Sequence, residues 1–147
     1  MRVFISDANI LIDIVKLELE NAFFDLPNSE FYTTDFVYNE ISDGQKQYLE
    51  PFISSKKLIV LNSDGNDLSK IIGLLNQTKG LSLPDCSIWH HTEKHQGILL
   101  TGDAKLRKTT QKANIEVRGI LFIFDEFLRC ELIDFSIAIE KLNELTN

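Results

Sequence analysis

Residues 3–9 read VFISDAN, and residues 98–105 read ILLTGDAK. Each stretch is a short apolar run followed by an acidic residue, which is Asp7 in the first and Asp103 in the second. Apolar runs of this length, bounded by turn residues, are typical of strands buried on both faces of a parallel sheet. The two motifs therefore predict two parallel strands with an aspartate just beyond the carboxyl end of each.

Working outward from these motifs, apolar runs alternate with helical patterns along the whole chain. Strands are predicted at residues 2–6, 31–33, 58–61, 98–101 and 115–117. Helices are predicted at about residues 9–19, 35–41, 45–53, 66–77, 83–96, 105–112, 120–130 and 135–145. Thr34 is predicted to cap the second of these helices, and Gly44 to end it. Such alternation implies an α/β fold, a single domain over residues 1–147 in which a central parallel sheet is flanked by α-helices on both faces.

Two more acidic residues lie where a ligand could meet the sheet. Asp85 follows Pro84 at the predicted start of a helix, and Glu40 lies in the helix that follows the second strand. Each has a structural alternative, because an aspartate at a helix start stabilises the helix by capping or by its charge, and a helical glutamate usually faces solvent. One helix and one strand separate Asp85 from Asp103, which is one α/β unit, so the two are expected side by side.

Carboxylates gathered at one edge of a sheet would repel one another unless a cation lay between them. In open parallel sheets, ligands bind just outside the carboxyl ends of the strands. Hard divalent cations take oxygen ligands of this kind. The sequence therefore predicts an acidic metal pocket on an α/β scaffold.

The order of these motifs resembles the PIN-domain family, which consists of small metal-dependent ribonucleases, many of them VapC-like toxins. The matching features are D-x-N after the first strand, a helical glutamate after the second, a Pro-Asp helix start and T-G-D after a later strand. The resemblance runs from Arg2 to about Leu145. It implies a PIN-like fold with a metal-binding and catalytic cluster formed by Asp7, Glu40, Asp85 and Asp103, supported by the polar side chains of Asn9 and Thr101.

The resemblance also implies an activity and partners. It implies an endoribonuclease that uses Mg²⁺ or Mn²⁺ to hydrolyse RNA and leaves a 5′-phosphate, as the toxin of a type II toxin–antitoxin pair. Family members commonly form homodimers, and an antitoxin protein inhibits such toxins by filling the groove. The alternative is a catalytically silent PIN-like protein that binds a partner in the same groove. A phosphorylated receiver domain fits less well, because Asp7-Ala8-Asn9 lacks the acidic pair that it needs.

The charge of the chain restricts how it can bind RNA. The formal net charge is −7 and the sequence pI is about 4.9, whereas a general nucleic-acid-binding surface is basic. Contact with RNA therefore requires bound metal or a local basic patch. Lys105, Arg107 and Lys108 follow Asp103 closely and are predicted to contact the substrate.

Histidine and cysteine patterns offer other sites. His91 and His95 have a spacing that can bind zinc on a helix, but the H-E-x-x-H pattern is absent from the sequence, so a solvated helix face is predicted instead. Cys86 has no histidine placed to activate it as a nucleophile. With two cysteines in the chain, no disulfide framework is indicated and a cytoplasmic location is expected. Acidic and amide residues interrupt the first apolar run, so neither a signal peptide nor a membrane span is expected.

Overall fold

The computed structural model describes residues 1–146. Five strands alternate with nine helices in this part of the chain. The strands are β1 (Arg2–Ser6), β2 (Ser29–Thr34), β3 (Leu58–Leu61), β4 (Ile98–Leu100) and β5 (Glu116–Arg118). The helices are α1 (Ala8–Lys16), α2 (Glu20–Phe24), α3 (Asp35–Asn39), α4 (Asp43–Ser54), α5 (Gly65–Gln77), α6 (Leu83–Lys94), α7 (Ala104–Lys112), α8 (Ile120–Arg129) and α9 (Phe135–Thr146).

The five strands form one parallel sheet with β1 at its centre. Their order is β3-β2-β1-β4-β5, and every neighbouring pair is parallel. The register places Phe4 opposite Phe31 of β2, and Ser6 opposite Leu100 of β4. Parallel pairing brings all five carboxyl ends to the same edge of the sheet, as the sequence predicted.

Helices cover both faces of the sheet, and successive residues of β1 show why. Phe4 packs in one hydrophobic cluster with residues of α1, α2, α4, α8 and α9. Ile5 packs in a second cluster with residues of α3, α5, α6 and α7. Both side chains are almost fully buried, because adjacent residues of a strand point to opposite faces and each face has its own helical layer. The predicted fold is confirmed.

The first helix is shorter than predicted, and a short second helix that the sequence did not predict follows it. The pattern from residue 9 to residue 19 predicted a single helix, but α1 ends at Lys16 and α2 follows. Glu18 adopts a left-handed conformation with a φ of 58°, which ends α1. Leu17 and Leu19 are nevertheless buried, so the apolar pattern continues past the helix end.

The region around Glu40 also differs from the prediction. Thr34 caps α3 as predicted, by accepting a hydrogen bond of 3.2 Å from the backbone N–H of Val37. However, α3 ends at Asn39, and Gly44 lies in the first turn of α4 instead of terminating α3. Glu40 is therefore the C-cap residue of α3 and not a mid-helix glutamate.

The predicted solvated face of α6 is wrong. Its residues from Cys86 to Thr92, including His90 and His91, are buried, and His95 is exposed just beyond the helix. The helix packs against α5, α3 and the strands β1, β2 and β4, which leaves little of its middle turns in contact with solvent. No helix within residues 1–146 has both the length and the apolar character needed to cross a membrane.

Candidate metal centre at the carboxyl edge of the sheet

Asp7 and Thr101 are linked directly at the carboxyl ends of β1 and β4. The backbone N–H of Asp7 donates a hydrogen bond of 2.8 Å to the carbonyl of Leu100, which continues the sheet pairing by one residue. The Thr101 hydroxyl donates a hydrogen bond of 2.7 Å to Oδ2 of Asp7. The same hydroxyl oxygen accepts a hydrogen bond of 3.1 Å from the backbone N–H of Asp103. Thr101 therefore orients one acid and holds the backbone of another.

The carboxylate of Asp7 is buried, with 7% of the residue exposed to solvent. Burial raises its pKa, hydrogen bonds from Thr101 and the Ala8 backbone lower it, and the charges of Asp85 and Asp103 raise it further. The net effect is a raised pKa, because little water remains to stabilise the ionised form. A carboxylate in this environment is stabilised in its charged form by a nearby cation.

Asp85 and Asp103 are held by the starts of two helices. Asp85 forms a capping box with Ser82, in which Oδ2 of Asp85 accepts a hydrogen bond of 3.0 Å from the Ser82 backbone. Asp103 is the N-cap of α7, and its Oδ1 accepts a hydrogen bond of 2.8 Å from Leu106. Each of these backbone hydrogen bonds uses one carboxylate oxygen, so the structural and ligand roles considered for these residues are compatible.

Glu40 is exposed but faces the same acidic region. Partial desolvation of its carboxyl raises its pKa, and the charges of Asp7 and Asp85 raise it further. The charges of Asp85 and Asp103 in turn raise the pKa of Asp7. The charges of Asp85 and Asp103 therefore act on Asp7, and those of Asp7 and Asp85 act on Glu40, so the four predicted acids lie near one another at this edge of the sheet.

The acidic set, formed by Asp7, Glu40, Asp85 and Asp103, offers the kind of ligand that a hard divalent cation takes. All four side chains offer carboxylate oxygens, which Mg²⁺ and Mn²⁺ prefer, and a cation would offset the repulsion that raises the pKa values of Asp7 and Glu40. Within residues 1–146, however, no three of these carboxylates have oxygens within 4.8 Å of one another. Binding of a cation would therefore draw the carboxylates closer together.

Asn9 and Arg107 form hydrogen bonds with the backbone of the loop that precedes Asp103. The backbone N–H of Gly102 donates a hydrogen bond of 3.4 Å to Oδ1 of Asn9. Arg107 donates a hydrogen bond of 3.1 Å from Nη1 to the carbonyl of Thr101. The guanidinium of Arg107 is thus bound within the protein, whereas Lys105 and Lys108 are exposed. The structure gives Arg107 a role in the loop that the sequence prediction had not assigned.

Sequence reasoning missed a buried contact that joins two parts of the candidate site. The hydroxyls of Thr34 and Ser87 lie 2.8 Å apart, and both residues are 0% exposed. Ser87 donates a hydrogen bond of 2.7 Å to the carbonyl of Pro84, so its oxygen accepts from Thr34. The contact fixes the start of α3, which precedes Glu40, against the start of α6, which carries Asp85. Only the capping role of Thr34 was visible in the sequence.

A comparison with known protein families shows which family this chain belongs to. Residues 3–147 match the family described as "DUF3368: PIN domain". The chain belongs to the PIN-domain family. This confirms the resemblance that the sequence motifs indicated. Comparison with curated proteins gave no significant match for this PIN domain.

Solved structures show the same fold at low sequence identity. The VapBC2 complex of Rickettsia felis, bound to a DNA fragment from its promoter, has a TM-score of 0.62 at 15% identity, over 80% of this PIN domain and 98% of that chain. A toxin–antitoxin complex from Klebsiella pneumoniae has a TM-score of 0.52 at 23% identity, over 71% of this PIN domain and 88% of that chain. The PIN-domain endonuclease Utp24 has a TM-score of 0.55 at 13% identity, over 80% of this PIN domain and 84% of that chain.

Proposed function

We propose that this PIN-domain protein is an Mg²⁺- or Mn²⁺-dependent endoribonuclease. The observation that carries the proposal is the buried carboxylate of Asp7 at the carboxyl end of β1. Thr101 donates a hydrogen bond to this carboxylate. Burial raises its pKa, and the charges of Asp85 and Asp103 raise it further. A cation among these carboxylates would stabilise them, because each disfavours ionisation of the others. Similarity to the PIN-domain endonuclease Utp24 supports a nuclease activity.

In this proposal each residue of the acidic set has a defined task. Asp7, Glu40, Asp85 and Asp103 would hold the cation, which would supply the Lewis acidity needed to hydrolyse a phosphodiester. The Thr101 hydroxyl keeps Oδ2 of Asp7 in one orientation by donating a hydrogen bond to it.

The surroundings of the acidic set have tasks as well. Asn9 and Arg107 would hold the loop around Gly102 so that Asp103 stays in place. Lys105 and Lys108 are exposed beside Asp103 and would contact the phosphate backbone of single-stranded RNA. This local positive charge would reduce the repulsion between RNA and a protein whose total net charge is −7.

The activity is tested by incubating the purified protein with RNA and DNA oligonucleotides of the same sequence. We expect RNA cleavage with Mg²⁺ or Mn²⁺, products with a 5′-phosphate, and no cleavage with excess EDTA. Asp7→Asn should abolish cleavage, while Asp125→Asn, which changes an exposed aspartate of α8, should retain it. Cleavage that continues in EDTA would contradict the role of metal, and cleavage of DNA alone would contradict the substrate.

We further propose that the protein acts in the cytoplasm as the toxin of a type II toxin–antitoxin pair. The similarity to VapBC2 and to the toxin–antitoxin complex from Klebsiella pneumoniae supports an antitoxin partner. Expression should arrest growth, and co-expression of a small DNA-binding protein encoded beside this gene should relieve the arrest and yield a stable complex. A neighbouring protein that binds but leaves RNA cleavage intact would contradict its assignment as an antitoxin.

A homodimer is also proposed. Leu121 of α8 is 65% exposed and Phe135 of α9 is 68% exposed, and large apolar side chains left in solvent support a contact with a second copy of the protein. Sedimentation velocity of the wild type should show a dimer. Leu121→Ser combined with Phe135→Ser should shift it to the monomer, and an unchanged dimer would place the interface elsewhere.

A further inference from the structure

A second group of possible metal ligands lies between α5 and α6, and none of its members belongs to the acidic set. Asp67 of α5 faces His90 and His91 of α6, and one ligand atom from each of the three residues lies within 4.8 Å of the others. The three residues are 3%, 8% and 1% exposed, respectively. Within residues 1–146 this is the only such group of three.

The hydrogen bonds of Ser63 determine which nitrogen of His91 carries a proton. The Ser63 hydroxyl donates a hydrogen bond of 3.0 Å to Oδ1 of Asp35. A hydroxyl has one proton, so toward Nε2 of His91, at 2.9 Å, the Ser63 oxygen can only accept. Nε2 therefore carries the hydrogen, and Nδ1 of the neutral ring presents a bare lone pair.

That lone pair has no partner within the protein. Nδ1 of His91 is the only buried side-chain nitrogen or oxygen in residues 1–146 without a hydrogen bond. Burial and the neighbouring His90 lower the pKa of His91, so the ring stays neutral. A buried acceptor without a donor is costly, whereas an unprotonated imidazole nitrogen is a favoured ligand of zinc.

Asp67 is already arranged to receive positive charge. Its Oδ2 accepts a hydrogen bond of 3.0 Å from the backbone of Asp64, which fixes the orientation of the carboxylate. Its Oδ1 lies 2.7 Å from Nε2 of His90 and 2.9 Å from Nζ of Lys94. Burial raises the pKa of Asp67, but hydrogen bonds from His90, Asp64 and Lys94 outweigh burial and hold it well below its usual range.

Two of the three residues, Asp67 and His90, are reachable from solvent. Asp67, His90 and Lys94 line a cavity of about 410 Å³ at the surface between α5 and α6. The side chain of Lys94 is 47% exposed, so it can swing away from Asp67 into water.

We propose that Asp67, His90 and His91 form a zinc-binding site, distinct from the acidic set at the carboxyl edge of the sheet. Two imidazole nitrogens and one carboxylate oxygen are ligands that Zn²⁺ takes, and three protein ligands leave a fourth position for water. The hydrogen that Nε2 of His90 donates to Asp67 would be released to solvent or replaced by one on Nδ1 when Nε2 binds the ion. Ligand atoms around a tetrahedral zinc lie roughly 3.3 Å apart, given metal–ligand distances of about 2.0–2.1 Å. The ligand atoms already lie within 4.8 Å of one another, so small side-chain adjustments would bring them to this spacing.

Lys94 would compete with zinc for Asp67, and this competition leads to a specific prediction. Lys94 shares Oδ1 of Asp67 with His90 and would have to leave when zinc binds. Lys94→Gln should therefore increase zinc affinity, whereas removal of a ligand should decrease it. A surface cluster that binds zinc non-specifically would not show this opposition.

The test is calorimetric titration of the metal-free protein with Zn²⁺ in excess Mg²⁺, which occupies sites that prefer hard cations. We expect one Zn²⁺ per chain, a higher melting temperature with zinc, and visible absorption bands of four-coordinate Co²⁺ after substitution. His90→Gln and Asp67→Asn should each weaken binding by about tenfold or more. Lys94→Gln should strengthen it.

His95→Gln is the matched control, because His95 is an exposed histidine just beyond α6 and one turn from His91. It should leave zinc affinity unchanged. Loss of binding in His95→Gln, undiminished binding in both His90→Gln and Asp67→Asn, or no binding to the wild-type protein would each overturn the proposal. Circular dichroism of each variant shows whether the protein remains folded, and Lys94→Gln retains all three ligands.

Discussion

Thr34 and Ser87 form a buried hydrogen bond of 2.8 Å between the end of β2 and the first turns of α6. The bond connects the helix that precedes Glu40 to the helix that carries Asp85. Its partners are separated by 53 positions in the chain. The spacing of these two acids therefore depends on a pair of hydroxyl groups that need not contact metal or substrate.

Thr34→Val should lower both stability and RNA cleavage. The valine leaves the Val37 N–H without its cap and Ser87 without its donor, which should cost about 1–3 kcal/mol of unfolding free energy. Urea denaturation and cleavage rates measure the two effects. Ser87→Ala and the double variant complete a double-mutant cycle, and additive losses would show that the two hydroxyls act independently.

Asp7→Asn should abolish cleavage while leaving the melting temperature unchanged or higher. Asparagine caps a helix about as well as aspartate, and removing one negative charge relieves repulsion on the order of 1 kcal/mol. Asp7→Ala is the matched control, because it also loses the cap and should lower stability by about 1 kcal/mol. An unfolded Asp7→Asn protein would show that Asp7 is primarily structural.

Lys105 and Lys108 are expected to contact the RNA backbone, and Arg107 to support the loop. In a catalytically inactive Asp85→Asn background, changing both lysines to glutamine should weaken RNA binding. It should also flatten the dependence on salt, by roughly 0.7 in slope for each phosphate that a lysine no longer binds. Affinity measured at several salt concentrations tests this, and identical slopes would place the RNA on another surface.

Arg107→Gln should act mainly on stability. It removes the donor to the Thr101 carbonyl, which should cost on the order of 1 kcal/mol, and should disturb the loop that carries Asp103. Thermal unfolding measures the loss. A protein of unchanged stability with a reduced salt slope would instead assign Arg107 to RNA binding, as the sequence alone suggested.

Asp67 should give a stability difference that depends on pH. Its pKa is lower in the folded protein than in the unfolded chain, so its stabilising contribution is present above the unfolded pKa of about 3.9 and is lost as the pH falls further. Asp67→Asn should therefore be less stable than the wild type from about pH 5 to 8, with a difference that shrinks below about pH 4. A constant difference across this range would mean that the charge of Asp67 is unimportant.

The sequence was most informative where a residue acts through its immediate neighbours. Apolar runs ending at Asp7 and Asp103 predicted strand ends, and the strand–helix alternation predicted the sheet. It was least informative where contacts join distant segments. Asp67 and His90 are 23 positions apart, so the helical spacing of His91 and His95 suggested a different pair from the one that folding brings together.

The boundary of α3 shows another limit of the sequence. Gly44 resembled a helix stop, but Ser42 caps α4 and Gly44 lies within it. A glycine near a helix end fits either a termination or a first turn, and only packing decides between them. The position of Glu40 depended on that choice.

The central position of β1 has a consequence for synthesis on the ribosome. β1 pairs with β2 on one side, but its other neighbour is β4, and the bond between Thr101 and Asp7 spans 94 positions. A nascent chain that ends before β4 leaves one edge of β1 uncovered and Asp7 without Thr101. The acidic set is therefore incomplete until β4 and the start of α7 have left the exit tunnel, which delays any activity at this site until most of the chain has been translated.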